Sequence, residues 1–217
     1  MLEKMKDFFD NRAEIYESHQ LNNIESAKEF YPFTAKLLPK FKNANILDLG
    51  CGTGLELEEY FKINPSANIT GIDLAPKMLE ILKNKFSDKN LNLINASYFD
   101  VPFGINKFDA AVSAESIHHF SKNKKLFLYR KLHKALKDHG YFILTDYFAL
   151  SDEEELKYMK EFSKLKSENK TEDNEIYHFD TPLTVPHEID VLKSAGFSSV
   201  EVLKSWGATS TLKAIKL

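Results

Sequence analysis

The 217-residue chain has a single cysteine, Cys51, which excludes an internal disulfide framework and any multi-cysteine zinc site. With no disulfide to form, a reducing cytoplasm is its expected location. Neither sign of charge is in excess: 29 basic residues against 32 acidic ones leave a formal net charge of −3. That balance disfavours a dedicated nucleic-acid binder, which needs a basic face. No stretch approaches the roughly 20 apolar residues of a membrane span. Charges interrupt the first twenty residues, MLEKMKDFFDNRAEIYESHQ, so neither a signal peptide nor a membrane partner is expected. No repeat recurs at solenoid periods. Glycine is scarce, eight residues in all, yet three crowd into Gly50–Gly54.

What is present fits one globular domain: 43% hydrophobic and 28% charged residues, near the average for folded chains. From residue 45 the chain alternates short β-type runs with amphipathic helical ones. Asn45–Gly50, Ala67–Asp73, Leu91–Asn95, Phe108–Glu115 and Gly140–Phe148 read as strands. Thr53–Phe61 reads as a helix opened by a Thr53–Glu56 capping box. Pro76 suits the first turn of a helix with Met78, Leu79, Leu82 and Phe86 on its apolar stripe. Lys124–Lys137 reads as a helix stopped at Gly140. The fifth strand is apolar on both faces and is expected at the sheet centre. Pro186–Ala195 reads as a helix capped by Thr184, followed by strands Val200–Trp206 and Thr209–Lys216 around a turn at Gly207-Ala208.

This order predicts an α/β fold: a Rossmann-like, doubly wound, mostly parallel seven-stranded sheet with helices on both faces and a C-terminal antiparallel hairpin. Two segments break the alternation. Residues 1–40 are mostly helical; residues 151–183 begin helical and pass into a polar loop around residues 166–174. Both are expected as lids over a core at 41–150, with 184–217 completing a single domain.

The densest signal is Asp48-Leu49-Gly50-Cys51-Gly52-Thr53-Gly54, at the junction of the first strand and helix. Glycines there let a ligand approach the backbone, and a helix N-terminus offers free N–H groups to an anion. Asp73, at the end of the second strand, lies 19 residues past Gly54, near the spacing at which a carboxylate meets ribose hydroxyls. A dinucleotide fingerprint requires G-x-G-x-x-G; Leu55 occupies its last position here, which disfavours NAD.

ILDLGCGTG (46–54) resembles motif I of class I S-adenosylmethionine-dependent methyltransferases. GIDLAPKML (71–79), NASYFDVPF (95–103) and FDAAVSAESIHHF (108–120) resemble their next three motifs, and the likeness is strong over about residues 44–150. It implies S-adenosyl-L-methionine as cofactor and S-adenosyl-L-homocysteine as product. It places Asp48, Gly50 and Gly52 at the methionine end, Cys51 within the cofactor loop, and Asp73 on the ribose. Leu74, Met78, Ser97 and Tyr98 fall around the adenine, and Ala114 near the methionine amine. Ser97 stands where many relatives carry an aspartate, which weakens that contact. Met78 also sits on an apolar stripe, so core packing accounts for it equally well. Cys51 is either a thiol activated by the helix N-terminus or a small space-filling residue.

The cofactor arrives activated, so the protein has to align an acceptor and exclude water. Candidate catalytic residues are His118 after strand four, Asp146 at the end of strand five, and Tyr16 in the N-terminal segment that resembles a cofactor-closing element. His119, His178 and Asp180 are further candidates near the acceptor. No zinc spacing relates the histidines, so no metal is expected. The predicted activity is methyl transfer to a small-molecule acceptor by in-line displacement. The alternatives are methylation of a tRNA base, disfavoured by charge and by Ser113-Ala114-Glu115-Ser116 standing in place of an Asn-Pro-Pro-aromatic sequence, or a cofactor-binding accessory protein without turnover. Monomer and homodimer remain equally open.

Overall fold

A computed structural model describes residues 2–169, 171–172 and 175–217. Its sheet has seven strands: β1 (Asn45–Leu49), β2 (Asn68–Asp73), β3 (Asn90–Asn95), β4 (Phe108–Ala114), β5 (Leu136–Tyr147), β6 (Ser199–Trp206) and β7 (Thr209–Ile215). They lie in the order β3-β2-β1-β4-β5-β7-β6. The first five pair in parallel, and β7 runs antiparallel to both β5 and β6. The strand order reverses between β1 and β4, which opens a crevice at their C-terminal ends where such sheets bind ligands.

Alternation along each central strand builds two cores. Ile46, Ile69, Ala110, Val112 and Ile143 pack on one face against α3 (Ala27–Lys36), α4 (Leu55–Ile63) and α5 (Pro76–Lys85). Leu47, Leu49, Ala111, Phe142 and Leu144 pack on the other against α6 (Lys122–Ala135) and α8 (Val185–Ser194). Burial on both faces explains why β4 and β5 read as nearly unbroken apolar runs. Between α6 and α8, Glu188 is fully buried and takes hydrogen bonds from Lys125 Nζ (2.5 Å) and the Tyr129 hydroxyl. This internal charge is paired rather than bare.

Three local expectations fail for identifiable reasons. The Thr53–Glu56 capping box does not form: α4 starts at Leu55 with Gly54 at its N-cap in the left-handed region, and the Thr53 hydroxyl has no partner among the described residues. Gly140 does not stop a helix. Helix α6 ends at Ala135, and Gly140 lies within β5 at a bulge where the register against β4 shifts. A Cβ on Gly140 would fall 2.8 Å from the Lys137 carbonyl oxygen, so the glycine answers a close backbone approach. Thr184 occupies the N-cap of α8, but its side chain makes no capping bond; its backbone N–H donates instead to Glu155 (2.7 Å).

The N-terminal helices α1 (Met5–Asp10) and α2 (Ala13–Asn23) lie across the C-terminal ends of the strands. Backbone bonds tie α1 to the segment after α7 (Asp152–Asn169): Met5 N–H donates to Ile176 O (2.8 Å) and His178 N–H to Glu3 O (3.0 Å). Phe8 and His178 stack with ring centroids 3.6 Å apart. The polar loop expected at 166–174 starts later, because α7 continues to Asn169; residues 170, 173 and 174 of that expectation lie outside the described residues. No described helix is long and apolar enough to cross a membrane.

Candidate active site

The glycine turn folds back on the end of β2. Gly50 and Cys51 N–H groups both donate to Ile72 O, at 2.9 and 3.3 Å. Gly50 has φ +72°, and a Cβ there would sit 2.0 Å from Ser116 Oγ and 2.6 Å from Ser116 Cβ. Gly52 has φ +47°, with the Tyr16 ring as the nearest neighbour of a hypothetical Cβ at 3.8 Å. The turn therefore presents bare backbone to a cavity, as a ligand carboxylate at a helix start requires. Asp73 locks the turn to β2 by accepting from Gly52 N–H (2.9 Å) and Ala75 N–H (2.8 Å). Burial pushes its carboxyl up to about 6, and those two N–H groups limit the rise.

Gly50, Gly52, Asp73, Leu74, Met78, Ser97 and Tyr98 line one cavity together with Tyr16, and Met5 and Phe9 of α1 cover it. Its volume is only about 50 Å³, below the roughly 300–1,000 Å³ of small-molecule sites, but it adjoins a second cavity of about 590 Å³. Seven of the ten positions expected at the cofactor are thus gathered in one place. Three are not in the lining. Cys51 faces away, and a Cβ on Gly71 would meet its Sγ at 2.8 Å. Burial pushes its thiol up, so it is a protonated space-filler and not a nucleophile. Ala114 packs with Phe30 and Trp206. Asp48 lies fully buried beneath the turn.

Both Asp48 carboxylate oxygens lack a donor among the described residues. The adjacent Glu56 is also buried, and burial pushes both acids up. Raising the pKa favours the neutral form, the cheap way to hold a carboxyl out of water. A ligand ammonium above the turn would favour ionising this pair. The bare glycine cradle, the orphaned carboxyl and Asp73 together fit a ligand with an amino-acid end and a ribose.

A second, larger cavity adjoins the first and shares Phe9, Tyr16, Glu115 and His119 with it. Its wall continues through His118, Tyr147, His178 and Asp180, with α1 and α2 above. Asp146, 1% exposed, lines neither cavity. It accepts from Ile117 N–H (3.0 Å), Tyr147 N–H (3.0 Å) and His118 Nδ1 (2.6 Å). Burial disfavours the His118 imidazolium, but Asp146 and then Asp180 outweigh it and push the ring up to about 9. His119 is the opposite case. Burial and the neighbouring His118 charge hold it down to about 4, against the pull of Asp180. Its Nδ1 lies 3.3 Å from Phe179 O and 3.0 Å from Asp180 Oδ1. Both are acceptors, so Nδ1 carries the ring proton and Nε2 holds the lone pair.

The fold also assembles groups that spacing did not reveal. His118, His119 and Asp180 bring one potential ligand atom each within 4.8 Å of the others, though the Nδ1 hydrogen of His119 already points at Phe179 O. Met5, Ser116 and Phe120 complete the first cavity. Ser116 and Phe120 lie within the 108–120 motif, whereas Met5 lacks a motif signal because an ordinary packing position looks the same in sequence.

A family model described as a methyltransferase domain matches residues 46–140. A carboxy-S-adenosyl-L-methionine synthase of Campylobacter lari is 26% identical over 236 residues, covering 99% of this chain and 96% of that protein. A phosphoethanolamine N-methyltransferase of Plasmodium falciparum is 28% identical over 160 residues, 73% of this chain and 55% of that one. Among solved structures, a Nostoc punctiforme protein provisionally called an O-methyltransferase superposes with a TM-score of 0.72 at 22% identity. The match takes in 98% of this chain but 62% of that one, less than two thirds, and speaks for the fold alone. The motif order, the glycine cradle and the seven-stranded sheet agree with the family match: residues 46–140 form a methyltransferase domain of the S-adenosylmethionine-dependent kind.

Proposed function

We propose that the enzyme methylates a small molecule held in the second cavity, beneath α1 and α2. One observation carries this: the two cavities meet at Phe9, Tyr16, Glu115 and His119 under a helical roof, where a polymer substrate would need an open groove. Relatives named for phosphoethanolamine and for 2-phytyl-1,4-naphtoquinone support a small acceptor. On this reading residues 1–40 and 151–183 act as lids on the core, and the whole chain works as one domain.

Gly50 and Gly52 would hold the methionine end, with Asp48 one layer behind. Asp73 would take the ribose hydroxyls, and Leu74, Met78, Ser97 and Tyr98 would surround the adenine. When bound, the cofactor supplies a methyl group already activated on a sulfonium. The chain's own contribution is alignment, exclusion of water by Phe9 and Tyr16, and management of the acceptor's proton. His119 Nε2 is the group suited to take it. His118, protonated and clamped by Asp146, serves as a fixed cation in the acceptor wall. Burial and the nearby Asp73 and Glu115 push the Tyr16 hydroxyl up, so it remains a donor.

Asp73→Ala is expected to weaken S-adenosylmethionine binding at least about tenfold, since charge-assisted hydrogen bonds are worth roughly 1.5–3 kcal/mol. Calorimetric titration checks it. Wild-type affinity should also fall as pH drops through about 6, where Asp73 takes up its proton. An unchanged dissociation constant in a folded variant removes the ribose assignment.

The acceptor class is tested by incubating enzyme and S-adenosylmethionine with separated low-mass metabolite, RNA and protein fractions. Homocysteine-form product should accumulate with the low-mass fraction; product with RNA alone would overturn the reading. A second reading rests on the full-length relatives, whose name states that they make carboxy-S-adenosylmethionine. A cofactor-derived product heavier than the starting cofactor in the mass spectrum would favour it.

A further inference from the structure

Four residues form the boundary between the two cavities, and Phe9, Tyr16 and His119 contribute only uncharged rings. The fourth is Glu115, just past β4. Its backbone has φ +52°, a region costly to a residue with a Cβ. The structure holds it there: Glu115 N–H donates to Thr145 O (2.9 Å), and the Thr209 hydroxyl reaches Glu115 Oε1 (3.4 Å). A carboxyl is thereby fixed among aromatic rings at the one place where both cavities can see it, an environment built for a cation.

Resting on the methyltransferase reading above, we propose that Glu115 recognises the positive charge of the sulfonium and so distinguishes S-adenosylmethionine from its neutral thioether product. Both forms carry the same adenosine, amine and carboxylate. They differ at the sulfur, which is cationic before transfer and neutral after it. A carboxylate at the boundary holds the charged form and releases the spent one.

Several charged and titratable groups surround Glu115. His118 comes from the turn after β4, Asp146 from β5, Asp180 from the segment after α7, Tyr16 from α2 and Tyr31 from α3. Burial pushes Glu115 up to about 8; Asp146 and Asp180 add to the rise, and His118 and the Thr209 hydroxyl oppose it. Glu115 is therefore mostly protonated at neutral pH before a cation arrives. A cation arriving beside it favours the ionised form and expels that proton. Asp73, Asp48 and Glu56 also respond to the cofactor, but they meet features common to both forms, so their response cancels in a comparison.

The test is calorimetry at pH 7 in phosphate and in Tris, which counts protons released per molecule bound. Wild-type protein should release about half a proton or more in excess when binding S-adenosylmethionine rather than S-adenosylhomocysteine. In Glu115→Gln the excess should vanish, with homocysteine-form affinity kept within about threefold; Glu115→Asp should retain it. Equal proton counts for the two ligands in wild-type protein overturn the proposal without any variant, as does an excess that survives in Glu115→Gln. If neither ligand binds, the cofactor reading falls with it; if both bind with equal counts, only the role of Glu115 falls.

Discussion

Gly50→Ala is expected to weaken S-adenosylmethionine binding about 100-fold while leaving the protein folded. Two costs combine. An alanine at φ +72° carries the left-handed penalty of roughly 1–2 kcal/mol. Its Cβ would also lie 2.6 Å from Ser116 Cβ, too close for a rotamer change to relieve, so the turn or the Ser116 backbone must move. Overpacking of this kind costs roughly 1–3 kcal/mol. The turn sits at the surface of a cavity, so the displacement is directed into the site and emerges as lost affinity, where about 1.4 kcal/mol is a factor of ten. Titration calorimetry reads the dissociation constant and a thermal melt confirms folding. A constant within threefold of wild type, in a folded variant, would show that the cofactor does not need this turn as it stands.

The same physics explains why this part of the site was legible in the sequence. Positive φ and close approach exclude side chains, so Gly50 and Gly52 announce themselves. Asp73 is readable because the βαβ unit fixes how far a second strand ends from the first turn. The sheet was legible for a related reason: two-faced burial leaves apolar runs such as Phe142–Leu144 that polar loops cannot imitate. Where the reading failed, one residue type served two purposes. Gly140 resembles a helix stop, yet it sits in a β-bulge, and only the strand pairing of β4 with β5 tells the two apart. Thr53 has the spacing of a capping box, but Gly54 already turns the chain into α4 and leaves the hydroxyl unused. Asp48 was expected at the ligand and lies a layer beneath it, because alternation along β1 sends its side chain to the face covered by α4.

The acceptor side was harder to read, since its geometry is made by contacts distant in sequence. His119 and Asp180 lie sixty-one positions apart and meet because the 175–180 segment is pinned to the N-terminus through Met5–Ile176 and His178–Glu3 backbone bonds. No local pattern encodes that junction. The histidine pair was visible as a candidate, but spacing could not say which ring would be charged. The structure separates them by their partners: a buried carboxylate at 2.6 Å for His118, a carbonyl and a shared aspartate for His119.

That separation leads to the second large effect. His119→Gln is expected to slow formation of S-adenosylhomocysteine, measured with the low-mass metabolite fraction, by at least about 100-fold, the lower end of general-base contributions. Cofactor affinity should stay within about threefold. Glutamine preserves much of the size and can still donate toward Phe179 O, but it offers no basic nitrogen. Because burial keeps His119 near 4, its neutral form persists across the whole neutral range. Wild-type turnover at saturating cofactor should therefore show no loss assignable to this ring until the pH approaches 4, when the imidazole gains a proton and its Nε2 lone pair is lost. His118→Gln provides the contrast. A ring held protonated by Asp146 cannot accept a proton at neutral pH, so its removal should change acceptor KM more than turnover. If instead His118→Gln abolishes turnover and His119→Gln leaves it intact, the two rings have been assigned the wrong way round, and the base is the imidazole that Asp146 orients.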